Sequence, residues 1–174
     1  LESFAKFYVF SEFIKQVDFS FSSTRFYFKD GILYAGPGWD FDLSSGNIGS
    51  GYPEYAEYNN GGNGSSGLWV ANFTWYEKLL ECNEFRSLVK NVYKNSRSTL
   101  ENVYKDNEKG QSKINSLLSA YKGSFIRNYS STGWTFATDT SYGKIIDTDY
   151  DGYVSYLKNW FSERLEFLDG IYGK

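Results

Sequence analysis

The sequence predicts an α+β fold that is predominantly helical and carries one small antiparallel β-hairpin. Three observations lead there: an Asp30-Gly31 dipeptide between two aromatic-rich runs, helical spacing of apolar residues before and well after it, and a 21% aromatic content able to fill a core. At 174 residues the chain suits one domain that needs no covalent staples.

Residues 2–17 set Phe4, Ala5, Tyr8, Phe10, Phe13 and Ile14 near helical spacing, which predicts an amphipathic helix stopping near Asp18. Strands follow over 24–29 and 32–36, joined at Asp30-Gly31, since a DG pair between apolar runs favours a tight hairpin turn. The stretch 44–67 is rich in Gly, Ser and Asn and contains Pro53, so a flexible loop is expected, placed to serve as a lid or as a plain excursion. Four helices are expected after it, over 68–81, 83–107, 110–122 and 150–170, with loop, or loop and a short strand, from Tyr129 to Asp149. Trp69, Trp75 and Trp160 fall on those helices and read as core rings, and Glu101 with Lys105 reads as a solvated pair.

Composition excludes several chemistries. Net charge is -3 with no long cationic run, which argues against a nucleic-acid partner. No apolar stretch approaches the ~20 residues that span a bilayer. Histidine is absent, which removes His-activated nucleophiles and imidazole metal ligation together. The single cysteine, Cys82, cannot form an intrachain disulfide and reads as an inert, part-buried thiol. Any reaction must therefore use carboxylates, hydroxyls, amides and lysines.

The densest chemical signal is Gly36-Pro37-Gly38-Trp39-Asp40-Phe41-Asp42. If the strand ends at Gly38, a turn can aim both carboxylates at one point, and hard oxygen ligands are what Mg²⁺ requires. Asp18 lies beyond the first helix, and the hairpin can return Asp40 towards it, giving the order of a catalytic-loop acid followed by a metal-binding acid. By itself Asp18 reads equally as a helix-end or Asx-turn residue. A second acidic run, Asp147, Asp149 and Asp151 before Gly152, mimics the first half of a calcium loop. Its twelfth position is Lys158, a cation where the bidentate acid should stand, so an acidic first turn of the last helix is the competing reading.

The run from Val17 through Asp18, Arg25-Phe26-Tyr27-Phe28-Lys29-Asp30-Gly31 and Gly36-Pro37-Gly38-Trp39-Asp40-Phe41-Asp42 resembles the core of the CotH kinase family, the spore coat protein H-like atypical kinases. That family carries an Asp, a short polar stretch, an aromatic strand, a turn and then a PxWDxD-type motif followed by Gly and Asn. Leu68-Trp69, Phe85-Arg86, and Tyr156-Leu157-Lys158-Asn159-Trp160 ahead of Arg164 and Leu168-Asp169 are similar to its helical C-terminal region.

The resemblance implies a domain like a kinase C-terminal lobe, from a secreted or surface-associated bacterial enzyme that uses ATP and Mg²⁺ or Mn²⁺ to phosphorylate hydroxyls of a surface or coat protein. Asp18 would orient or deprotonate the acceptor hydroxyl, Asp40 would hold the metal and Asp42 would assist. Ser22 or Ser23 stands where the family often has a catalytic-loop amide for a second metal, and Asn47 is a further candidate for polar support. The nucleotide-gripping lysine and its cover strands would lie before Leu1, so the chain reads as the C-terminal portion of a longer kinase, inactive alone. The alternatives are a non-catalytic surface module binding glycan or a protein partner, and a two-carboxylate glycosidase built on Asp18 and Asp40.

Overall fold

Helix α1 (Glu2–Phe13) is wrapped by the rest of the fold. Its buried residues, Ala5, Phe7, Tyr8, Val9, Ser11, Glu12 and Phe13, go round most of the helix, and a helix apolar on nearly all faces belongs in an interior. The structure, a computed structural model, describes residues 1–49, 52, 57–59, 63–130 and 149–173.

After α1 come strands β1 (Phe26–Lys29) and β2 (Ile32–Ala35), then a 3-10 turn (Val70–Asn72). Among the described residues four helices follow: α2 (Thr74–Leu79), α3 (Asn83–Tyr104), α4 (Lys113–Ser130) and α5 (Tyr150–Tyr172). Helix accounts for 59% of the described residues and the hairpin is the one sheet among them, so the α+β expectation holds.

The hairpin pairs Phe26 with Ala35, Tyr27 with Tyr34, Phe28 with Leu33 and Lys29 with Ile32. Its turn residues Asp30 and Gly31 both take positive φ, 52° and 76°, the left-handed pair that a two-residue turn between twisted strands requires. The base of the hairpin is held by Phe26, stacked on Phe4 at 5.6 Å and edge-on to Trp75. The outer part stays in solvent, with Phe28 71% exposed.

The core joins α1 to α2 and α5 through rings. Phe13 stacks on Phe161 at 4.9 Å, Tyr8 lies 5.0 Å from Tyr76, and the hydroxyls of Tyr8 and Tyr172 meet at 2.7 Å. Trp160 is fully buried, while Trp69 and Trp75 are half-buried against the same core.

Four expectations need correction, one of them the helix expected over 110–122, which runs over Lys113–Ser130 and so continues through Gly123. The first helix ends at Phe13 rather than near residue 17, because Lys15 takes a left-handed φ of 49°. The expected helix over 68–81 is broken at Phe73, which is extended at φ -94° and ψ 141°, with the 3-10 turn on one side and α2 on the other. Cys82 is exposed rather than part-buried, and its thiol donates to Glu84 Oε2 at 2.8 Å.

Candidate functional site

The four residues after α1 each fasten a different part of the chain. The Ile14 carbonyl accepts from the Ser45 amide at 2.8 Å, fixing the turn that follows Asp42. Lys15 Nζ donates to the carbonyls of Tyr58, Gly64 and Ser66 at 2.6, 2.8 and 2.7 Å and sits over the Tyr58 ring, while Tyr58 Oη donates back to the Lys15 carbonyl. The Gln16 amide reaches both acid-bearing loops, and the Val17 carbonyl accepts from Trp69 Nε1 at 3.0 Å. The described residues of 44–67 are thus tied to the end of α1, and on their far side Arg164 of α5 donates to the carbonyls of Ser65 and Gly67.

The carboxylate pair forms where β2 leaves the sheet. Gly36 takes φ 106°, and the space a side chain at Gly38 would need is filled by Phe41, whose ring is edge-on to Phe10 at 5.4 Å. Phe41 thereby anchors the segment, and Asp40 and Asp42 on either side of it stay in solvent. Asp40 takes φ 60°, a conformation that Asp tolerates better than most residues and one that recurs at functional turns. The two carboxyls share a hydrogen bond; that bond and the like charge of Asp42 push Asp40 above the usual carboxylate range, with Arg25 opposing.

Asp18 is half-buried at the head of a tight turn whose backbone is gathered on its own carbonyl, which accepts from the amides of Phe21, Ser22 and Ser23. Ser22 and Ser23 face one another with their hydroxyls 3.5 Å apart, and Ser23 is fully buried. Asn47 turns its amide nitrogen onto the Asp42 carbonyl at 2.7 Å and so braces the turn after the pair. The backbone of the Asp18 loop meets the residue before Asp40 through one shared donor, the Gln16 side chain.

The second acidic run is spread over other tasks. Asp149 caps α5 by accepting from the Gly152 amide at 2.8 Å, Asp151 pairs with Lys122 at 2.7 Å, and Asp147 lies outside the described residues. Lys158 pairs with Asp106 at 2.9 Å.

Among the described residues no three or more His, Cys, Asp or Glu side chains gather as a metal-binding group. Two adjoining carboxylates do fit a hard cation that takes its remaining ligands from water and phosphate oxygens, the usual habit of Mg²⁺. A turn carrying one acid, a hairpin, and an acid pair at the hairpin exit follow one another in the chain beside a helical body. The chain belongs to the CotH kinase protein family, whose model matches residues 1–168. No curated protein and no solved structure matches it.

Sequence reasoning passed over Glu12, Lys15 and Gln16 and gave Arg164 no role beyond the family likeness, though all four are among the most deeply buried polar residues. The one available signal was the polar pair Lys15-Gln16 inside the run Phe13-Ile14-Lys15-Gln16-Val17, which a helical pattern assigns to solvent.

Proposed function

We propose that this chain supplies the metal-binding and acceptor-positioning part of an ATP- and divalent-metal-dependent protein kinase acting at the cell surface or outside the cell. The observation that carries this reading is the Asp40–Asp42 pair, two exposed carboxyls close enough to share a hydrogen bond at the exit of the hairpin. When both are ionised their like charges repel, and a cation between them relieves that repulsion as a proton does. A turn that forces this approach, with Asp40 in the left-handed region and Asn47 bracing the Asp42 carbonyl, is built for a cation.

In this role Asp40 and Asp42 hold Mg²⁺ or Mn²⁺, and Asp18 orients the acceptor hydroxyl and takes its proton. The metal-bound nucleotide supplies the phosphoryl group when present. Ser22, Ser23 and Asn47 shape the two turns from which these acids project. Mn²⁺ titration of the chain tests the metal site: saturable binding is expected, abolished by Asp40→Asn. The complete gene product, incubated with ATP and Mn²⁺ and read by mass spectrometry, tests the transfer. Phosphate incorporation indifferent to Asp18→Ala and Asp40→Ala would remove the site assignment.

A second reading is favoured by exposed rings on the Asp18 turn, on the hairpin and immediately before Asp40. Phe21 is 84%, Phe28 71% and Trp39 59% exposed, which suits a module docking glycan or protein on its rings. In that case oligosaccharide shifts the tryptophan fluorescence through Trp39, and Mn²⁺ leaves it unchanged.

A further inference from the structure

We propose that Gln16 is a positioning residue that locks the Asp18 loop and the Asp40 loop into one register. The inference rests on the kinase reading for its catalytic consequence, though not for the clamp itself. Gln16 is fully buried, and all of its amide is spoken for. Nε2 donates to the Ser23 carbonyl at 3.1 Å and to the Trp39 carbonyl at 3.2 Å, while Oε1 accepts from Ser11 Oγ at 3.1 Å. Carbonyl oxygens only accept, so the orientation of the amide is fixed by its surroundings.

One of those carbonyls closes the turn that begins at Asp18, and the other immediately precedes Asp40. The backbone of Gln16 is itself pinned, its amide donating to the Ser11 carbonyl at 2.9 Å. A single neutral side chain therefore sets how far the acceptor-side acid lies from the metal-side acids. Neutrality matters, because a lysine in its place would add a cation beside the metal and a glutamate would turn an acceptor against two acceptors. Phosphoryl transfer depends on this separation more than on the affinity of either part, since misplacement by about 1 Å can cost 10²-fold in rate.

The test compares the wild-type chain with Gln16→Met, Gln16→Glu and the milder Ser11→Ala. Amide hydrogen exchange in 19–23 and 39–44 is expected to rise together, about tenfold or more, while the amides of α3 stay unchanged. In the complete gene product, kcat is expected to fall about 10–100-fold in Gln16→Met with Mn²⁺ affinity within about twofold of wild type. A variant that merely loses folded protein would lose Mn²⁺-binding sites in proportion and keep its kcat per site.

If both Gln16 variants unfold, Ser11→Ala decides, by the same paired rise in exchange. Exchange that rises in one loop alone, or in neither, overturns the clamp. Absence of Mn²⁺ binding and of phosphate incorporation in the wild type would instead end the kinase reading, leaving the exchange comparison to judge Gln16 by itself.

Discussion

Glu12 and Arg164, from α1 and α5, meet as a buried ion pair with Arg164 Nη2 2.8 Å from Glu12 Oε2 and both side chains almost wholly removed from solvent. Neither charge has spare capacity. Arg164 also donates to the carbonyls of Glu12, Ser65 and Gly67, and the Glu12 carboxylate accepts from the amides of Trp69 and Ala71. The pair thus holds the last turn of α1 against the segment that follows the Gly-rich stretch, immediately before the residues that carry the acid loops.

Removing one partner leaves the other charge buried without compensation. Glu12→Gln and Arg164→Met are each expected to lower stability by about 3–5 kcal/mol, read from urea midpoints, and the double variant to lose less than the sum of the two. Strict additivity would mean that the ions act independently despite their contact.

Lys15 gives stability an unusual dependence on pH. Burial, and after it the Arg164 guanidinium, pushes the ammonium down from the ordinary lysine value to about 7, with Glu12 opposing. The folded chain therefore gives up this proton at lower pH than the unfolded chain, so between pH 7 and the ordinary lysine range the unfolded state binds more protons. Stability must rise with pH across that window, at no more than about 1.4 kcal/mol per pH unit. The chain has no histidine to add a competing titration near neutral pH. Urea midpoints at pH 7, 8 and 9 are expected to climb in the wild type and stay level in Lys15→Met. A flat wild-type profile would show that its three carbonyl acceptors keep the ammonium charged.

The fold and the site were unequally legible. The hairpin could be read because Asp30-Gly31 announces its backbone locally, and the long helices because apolar spacing repeats over many turns. The Asp40-Phe41-Asp42 motif could be read as an acid pair, since its two members are neighbours in sequence. Residues 14–17 could not be read so. The roles of Lys15 and Gln16 arise from carbonyls supplied by residues 23, 39, 58, 64 and 66, and a periodicity argument treats both as surface positions. The same blindness extended α1 too far, because the left-handed φ at Lys15 is enforced by those distant partners and not by its own preference.

Gly46 tests how firmly the turn after the acid pair must be seated. It takes φ 78°, and a Cβ there would stand 2.5 Å from Trp160 Nε1 and 2.7 Å from the Asn63 carbonyl oxygen. Trp160 cannot withdraw easily, being fully buried with its Nε1 donating to that same carbonyl at 3.0 Å. Gly46→Ala is therefore expected to lower stability by about 1–3 kcal/mol, combining positive-φ strain with displaced packing. Gly31→Ala has open space around it and bears the conformational strain alone, so it should be the milder of the two in thermal melts.

Asp42→Asn separates the two consequences of the acid pair, because they have opposite signs. In EDTA the substitution removes a like charge from beside Asp40, and the variant is expected to melt no lower than the wild type. With Mn²⁺ in large excess, an ion that binds the folded chain raises the wild-type melting temperature by several degrees, in proportion to the logarithm of its concentration. Asp42→Asn replaces one of the two adjoining carboxylates with a neutral amide and should show little of that rise. The crossing of the two melting curves, variant at or above wild type without metal and below it with metal, distinguishes a cation site from an incidental approach of two surface acids. An incidental approach would leave the variant at or above wild type under both conditions.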